Sequence, residues 1–440
     1  MTFFRFLAFR VATLLALATP LQAEIAIQEV TSPGGIKAWL VEEHGIPFTA
    51  LNIRFLGGTS LDAPGKRGAV NLMTGLLEEG AGEMDAQGFA AARDALAAEF
   101  SFRSDVDGVS VSSRFLTENR AAAMALLKQA LITPRFDPDA VERVRGQVLA
   151  GLRSDEKDPE AMASALLDAR LYGAHPYGSN GDGTVASVTA LSRDDILAAH
   201  QGSMARDRIY VAAVGDISAA ELGPLLDALL GDLPAKGIPQ PGKAVLTLTG
   251  GTMVQEFPGP QSVVQFAQGG IGFDDPDYFA ASVLNEILGG GRFSARLMNE
   301  VREKRGLTYG IGTALANYRQ AETFVGGFSS ANDKVGAAIQ VVKDVWAKVA
   351  AEGVTPEELE TTKTYMTGAY PLRFDGNGPI AGILVGMQIL GLPLDYPAVR
   401  NARVEAVTLA DVKRVAARLL TPGQLAFVVV GQPEGVVSGP

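Results

Sequence analysis

The 440-residue chain has no cysteine and only three histidines, His44, His175 and His200. The first absence excludes disulfides, thiolate metal sites and a cysteine nucleophile. The second leaves no two imidazoles three to five residues apart, so no short histidine pair can grip one metal ion. There is no Gly-Lys-Ser/Thr and no G-x-G-x-x-G after a strand, so the triple glycine 289–291 is a tight loop before a helix and not a phosphate cradle. There is also no G-x-S-x-G, and no particular serine is paired with any histidine, which makes a stand-alone serine hydrolase a weak reading.

Long apolar runs are missing too. The N-terminal run at 11–21 has 11 residues, against the roughly 20 needed to span a bilayer. With Arg5 and Arg10 before it and Leu-Gln-Ala at 21–23 after it, segment 1–23 reads as a cleaved secretory signal. The mature chain is then expected in the periplasm or secreted, with no membrane attachment after cleavage. Losing the two arginines takes the formal net charge from −11 to −13, and such an acidic surface argues against nucleic acid as a partner. About 417 residues at 47% apolar composition suffice for two ordinary domains held by core burial alone.

The chain repeats itself once. Residues 188–217 (VTALSRDDILAAHQGSMARDRIYVAAVGDI) overlay 404–433 (VEAVTLADVKRVAARLLTPGQLAFVVVGQP) at an offset of 216. Each copy places a hydroxyl residue three positions before an aspartate, Ser192/Asp195 and Thr408/Asp411, a helix-start pattern close to a capping box. Each helix then leads to a β-branched strand ending in Val-Gly. Earlier in each half a strand runs into Gly-Gly, at 51–58 and 263–270, an offset of 212. These repeats predict an α+β fold of two homologous domains, each an antiparallel-rich sheet with helices packed on one face. The domains are placed at 24–233 and 252–440, with the Pro- and Gly-punctuated stretch 234–251 as linker.

Single residues mostly have ordinary readings. His175, before Pro176, orders a loop; His44 is a surface turn residue; His200 ends a helix, where positive charge suits the dipole. The adjacent Glu78 and Glu79 read as a solvated helix face. In 289–309, GGGRFSARLMNEVREKRGLTY, the cations Arg302, Lys304 and Arg305 before Gly306 form a charged helix end, and Tyr309 is a strand aromatic.

That same stretch resembles the C-terminal-half signature of the insulinase/pitrilysin family of zinc peptidases, in the branch of the mitochondrial processing peptidase. The resemblance covers nearly the whole mature chain; 161–178, with Leu-Tyr-Gly-Ala-His-Pro-Tyr-Gly, is similar to the region where many members carry His-Pro-Tyr-Gly. It implies two domains arranged as a clamp around an inner chamber. It also implies that Arg302 and Tyr309, seven positions apart, hold substrate over a zinc ion. A guanidinium donates two bonds to a peptide carbonyl, and a phenol donates one to the oxyanion formed on attack by water.

The family's inverted zinc motif H-x-x-E-H is not there. Aligned through 68–80 (GAVNLMTGLLEEG), its histidine positions hold Asn71 and Gly75 and its general-base position holds Thr74. The third ligand position, in 145–159 (RGQVLAGLRSDEKDP), falls on Gly151. The resemblance thus implies no zinc in this chain. It implies a heterodimer instead, with a homologous H-x-x-E-H subunit supplying the metal, peptide as substrate, and Arg302 and Tyr309 acting in trans. An edge strand of the first half should bind extended peptide by strand addition, with 110–115 (SVSSRF) as the candidate. The competing expectation is a non-enzymatic peptide-binding or assembly protein of the same fold.

Overall fold

Strand and helix follow the two periodicities of the sequence. The computed structural model describes residues 25–439, so the signal segment lies outside the described residues. The first half contains β1 (Gln28–Thr31), β2 (Lys37–Glu42), β3 (Phe48–Leu56), β4 (Glu99–Asp105), β5 (Gly108–Leu116) and β6 (Ile209–Gly215). They form one sheet in the order β1-β2-β6-β3-β5-β4, antiparallel except where β2 runs parallel to β6. The second half contains β7 (Thr252–Glu256), β8 (Gln261–Gly269), β9 (Ile311–Tyr318), β10 (Ala321–Ala331) and β11 (Ala426–Gly431). Their order is β9-β10-β8-β11-β7, with β7 and β11 parallel. The principal helices are α1 (Ala69–Gly75), α2 (Pro138–Asp155), α3 (Pro159–Tyr172), α4 (Arg193–Ser203), α5 (Tyr278–Gly289), α6 (Asn377–Ile389), α7 (Tyr396–Glu405) and α8 (Leu409–Leu419).

The duplication holds down to single hydrogen bonds. At the start of α4 the Asp195 carboxylate accepts from Ser192 N at 2.8 Å, while Asp195 N donates to Ser192 Oγ at 3.2 Å. At the start of α8, Asp411 and Thr408 make the same exchange at 3.0 and 3.2 Å. Each box satisfies backbone donors that the first helical turn leaves without partners. Both helices then lead into the central strands β6 and β11.

The expected sheets-with-helices architecture is present, with one addition. Along β3, Leu51, Ile53 and Phe55 face the first half's own helices, meeting Leu72 of α1, Val144 of α2 and Ile196 of α4 in one core. Ala50 points the other way, as do Trp39, Ala212 and Val214, as a period of two demands. That second face is covered by Ala381, Leu384, Val385 and Met387 of α6, a helix from the other half. The second sheet mirrors this: Val263, Ala267, Val428 and Val430 are covered by Ala163, Leu167 and Leu171 of α3, from the first half. Each half of the clamp is closed over a helix of the other.

Equivalent polar pegs fix both helices. Arg170 of α3 donates from Nη1 to the carbonyl of Phe427 at 3.0 Å, and Gln388 of α6 donates to that of Val211 at 2.8 Å. Phe427 and Val211 are 216 positions apart, the offset of the sequence repeat. The stretch 234–251 has no helix or strand, and is held by bonds from Thr247 N to Leu171 O at 2.9 Å and from Ala244 N to Gln320 O at 2.7 Å. The turn between β4 and β5 also reaches the second half, where the Asp107 carboxylate accepts from Arg319 N at 2.9 Å.

Candidate functional site

Helix α1 carries three of the four positions aligned with the lost metal motif. Gly68 precedes it at φ 94, a left-handed conformation that glycine adopts without strain. The buried carboxylate of Asp62 accepts from Gly68 N and Val70 N, both at 2.8 Å, and so caps the helix from a distance. Burial pushes the Asp62 pKa up, while those two bonds and Arg67 pull against it.

No side chain here suits zinc. Asn71 Oδ1 accepts from Ser104 Oγ of β4 at 3.2 Å. Thr74 is buried and donates to Val70 O at 2.7 Å, so its hydroxyl is committed to its own helix. Gly75 and Gly151 present only backbone; a Cβ at Gly75 would meet Val144 Cγ1 of α2 at 3.2 Å, and one at Gly151 would meet nothing within 4 Å. A neutral amide, a back-bonded hydroxyl and two hydrogens offer none of the imidazole or carboxylate donors a zinc peptidase site requires. Among the described residues no group of three or more His, Cys, Asp or Glu is placed to hold a metal ion.

The second half explains what Asn71 has become. There Asn285 of α5 accepts from Thr313 Oγ1 of β9 at 2.9 Å. In both sheets, therefore, an edge-strand hydroxyl donates to an asparagine on the adjoining helix. The helix of the lost motif is tied down in the same way as its counterpart.

The histidines divide three ways. His44 is exposed between Asp216 (2.7 Å) and Glu42 (3.3 Å), which raise its pKa. His175 accepts from Tyr177 N through Nδ1 at 3.2 Å, ordering its loop as expected. His200 lies in the last turn of α4 as expected, but inside the core. It is buried, its Nε2 lies 2.9 Å from Leu131 O, and burial lowers its pKa, which disfavours the cation that the helix end would otherwise suit. Glu78 and Glu79 lie beyond the end of α1 and pair with Arg93 and Arg143.

Arg302 sits in a π-wound turn, Met298–Glu303, whose Met298 and Val301 are buried in the second core. Its guanidinium lies over the Phe293 ring at 4.7 Å, with Nε 3.4 Å from the Glu303 carboxylate. Gly306, at φ 59, ends the turn. Tyr309 stands just before β9 and not within a strand. Its neighbour Thr308 is buried and brackets the loop, donating from Oγ1 to Ser329 O at 2.7 Å and accepting from Gly310 N at 3.1 Å. Tyr309 itself is 85% exposed on that fixed loop. It borders a cavity of about 470 Å³ with Gln265 of β8, Ser329 of β10 and Glu160 of α3, so the first half supplies a carboxylate to its wall. Arg302 does not line that cavity; it is stacked on Phe293. Sequence reasoning missed Glu160, because only the exchange of α3 across the halves brings it beside Tyr309.

The expected edge strand also needs correction. Segment 110–115 lies within β5, which pairs with β3 on one side and β4 on the other. The edges of the first sheet are β1 and β4, and Ser104 ties β4 to α1. Strands β4 and β5 both alternate polar and apolar residues, so only the pairing order separates them.

Residues 190–366 match the family described as peptidase M16 inactive domain. The chain is 24% identical over 432 residues to a Helicobacter pylori protein named non-peptidase homolog YmxG, covering 96% of this chain and 98% of that one. It is 26% identical over 402 residues to an uncharacterized zinc protease of Mycobacterium leprae, covering 89% and 88%. The crystal structure of a peptidase M16 inactive domain from Pseudomonas fluorescens superimposes with a TM-score of 0.87 at 30% identity, covering 94% of this chain and 99% of that one.

Proposed function

Because the chain belongs to the M16, or insulinase/pitrilysin, peptidase family as a catalytically incomplete member, we propose that it is the substrate-holding subunit of an exported heterodimeric zinc peptidase. The partner is a homologous H-x-x-E-H subunit that carries the metal, and the substrate is peptide. The observation that carries this reading is Tyr309, which is 85% exposed on a loop that Thr308 pins to the sheet. An exposed phenol held in place is ready to donate to a carbonyl or oxyanion brought against it, with little further ordering to be done.

Arg302 is the second donor. Leaving the Phe293 face and its exposed contact with Glu303 costs little, since exposed ion pairs and cation–π contacts contribute at most about 1 kcal/mol each. A bidentate bond to a peptide carbonyl in a closed chamber offsets that loss. The free edge of β4 is the place for an extended peptide to add as a strand. No step of zinc chemistry runs through this chain, whose aligned positions hold no ligand.

The test compares peptide hydrolysis and zinc content of this chain, an H-x-x-E-H homologue, and the two together. Cleavage by the mixture alone supports the shared site. Equal cleavage by the homologue alone supports the second reading, a non-enzymatic peptide-binding or assembly protein, which the similarity to a non-peptidase homologue favours.

A further inference from the structure

A second cavity, of about 700 Å³, lies between α5, β9, α6 and α7, away from both α1 and Tyr309. Its wall is aromatic. Phe273 sits 4.4 Å from Tyr278 and 6.1 Å from Tyr396 between ring centroids, and Tyr370 closes another side. Two guanidiniums, Arg373 and Arg400, reach the same space.

Their charge is unbalanced. Several other second-half arginines sit in ion pairs, Arg292 with Glu286, Arg296 with Glu358, and Arg414 and Arg418 with Asp277, whereas Arg403 lies over the Phe279 and Tyr396 rings of the cavity wall. Among the described residues neither Arg373 nor Arg400 has a carboxylate within ion-pair distance. Arg400 stacks over Tyr370 at 4.6 Å and donates from Nη1 to Met366 O at 2.9 Å. Burial above all, and Arg373's like charge to a lesser degree, lowers its pKa. A chain with formal charge −11 thus keeps two uncompensated cations against an aromatic cavity. A third polar side chain, Asn317 of β9, lines the same space.

We infer that this cavity binds the C-terminal end of a peptide whose last residue is aromatic or large and apolar. The terminal carboxylate lies between Arg373 and Arg400, the last peptide group lies against the Asn317 side chain, and the terminal side chain packs among the rings. Each of the three features demands one part of that ligand. A fatty acid satisfies the rings and the arginines but has no peptide group for the Asn317 side chain. The volume is in the usual range for small-ligand sites, roughly 300–1,000 Å³.

The experiment is calorimetric titration of the full chain alone, so its outcome is separate from any test of a shared active site. The probes are acetyl-Ala-Ala-Phe as the free acid, the same peptide as its C-terminal amide, and decanoate. The free acid should bind, with amide and decanoate at least about tenfold weaker. Arg373→Gln, at an exposed position, should weaken the acid by about tenfold or more and leave the amide nearly unchanged. Gly386→Leu fills space where a Cβ meets nothing within 4 Å, and should abolish binding of all three probes with an unaltered circular dichroism spectrum. Equal affinity for acid and amide overturns the inference, as does decanoate binding as tightly as the peptide. Absence of binding at millimolar peptide overturns it too, and so does binding that survives both substitutions.

Discussion

Asp168 sits on α3 where that helix crosses to the second half, and its surroundings give it no cation. Burial pushes its pKa from 3.8 to about 6. The groups around it are phenols and acids: its charge contributes to the raised pKa values of Tyr172 on the same helix and Tyr318 on β9, both of which also feel Asp107. The folded state therefore holds the Asp168 proton more tightly than the unfolded chain does. Stability is lost as pH rises from 3.8 through 6, and the loss is complete above it. At about 1.4 kcal/mol per pKa unit, the penalty is about 1 kcal/mol at pH 4.5 and about 3 kcal/mol at pH 8. Asp168→Asn removes the charge and keeps the shape. Urea unfolding followed by circular dichroism should find the variant more stable, with an advantage about 2 kcal/mol larger at pH 8 than at pH 4.5. An advantage that does not change with pH, or a less stable variant at pH 8, would refute the reasoning.

Three further outcomes are expected. Leu384→Ala, at a fully buried position of α6 against the first sheet, should cost about 2–5 kcal/mol and red-shift the fluorescence of Trp39; a cost below about 1 kcal/mol would mean that the crossing helix does not bind the halves together. Ser192→Ala and Thr408→Ala should each cost about 1 kcal/mol in urea unfolding, since each hydroxyl accepts from the third helical N–H of an equivalent box; unequal effects would show that the two copies no longer share that duty. The triple variant Asn71→His, Gly75→His, Gly151→Glu should take up one zinc per chain by elemental analysis, and a zinc-free triple variant would overturn the placement of the lost motif on α1 and α2.

What was legible in the sequence was local. Ser192/Asp195 and Thr408/Asp411 announce helix starts because a capping box is closed within four residues. The offset of 216 survives because both copies obey the same local rules. The exchange of α3 and α6 was not read, because a helix's apolar face does not say which sheet it covers. A signal was nevertheless available: β11 is AFVVVG, buried at every position, and such a run without alternation belongs to a strand covered on both faces. The rank of β4 as an edge, the burial of His200 and the arrival of Glu160 beside Tyr309 all depend on contacts between residues far apart in the chain. Arg302 and Tyr309 stand out by motif alone, whereas the π-wound turn under one and the Thr308 bracket under the other have no motif.

The central claim is that this chain donates to a site whose metal lies elsewhere. Its most direct test is the turnover number of the reconstituted pair, comparing the unaltered chain with Arg302→Ala and Tyr309→Phe after sedimentation has established that each variant still assembles. Loss of one oxyanion donor typically costs about 10²–10³ in kcat, and a drop of that order with assembly and zinc content unchanged is the predicted result. Full turnover from both variants in intact complexes would contradict it and leave the chain a scaffold.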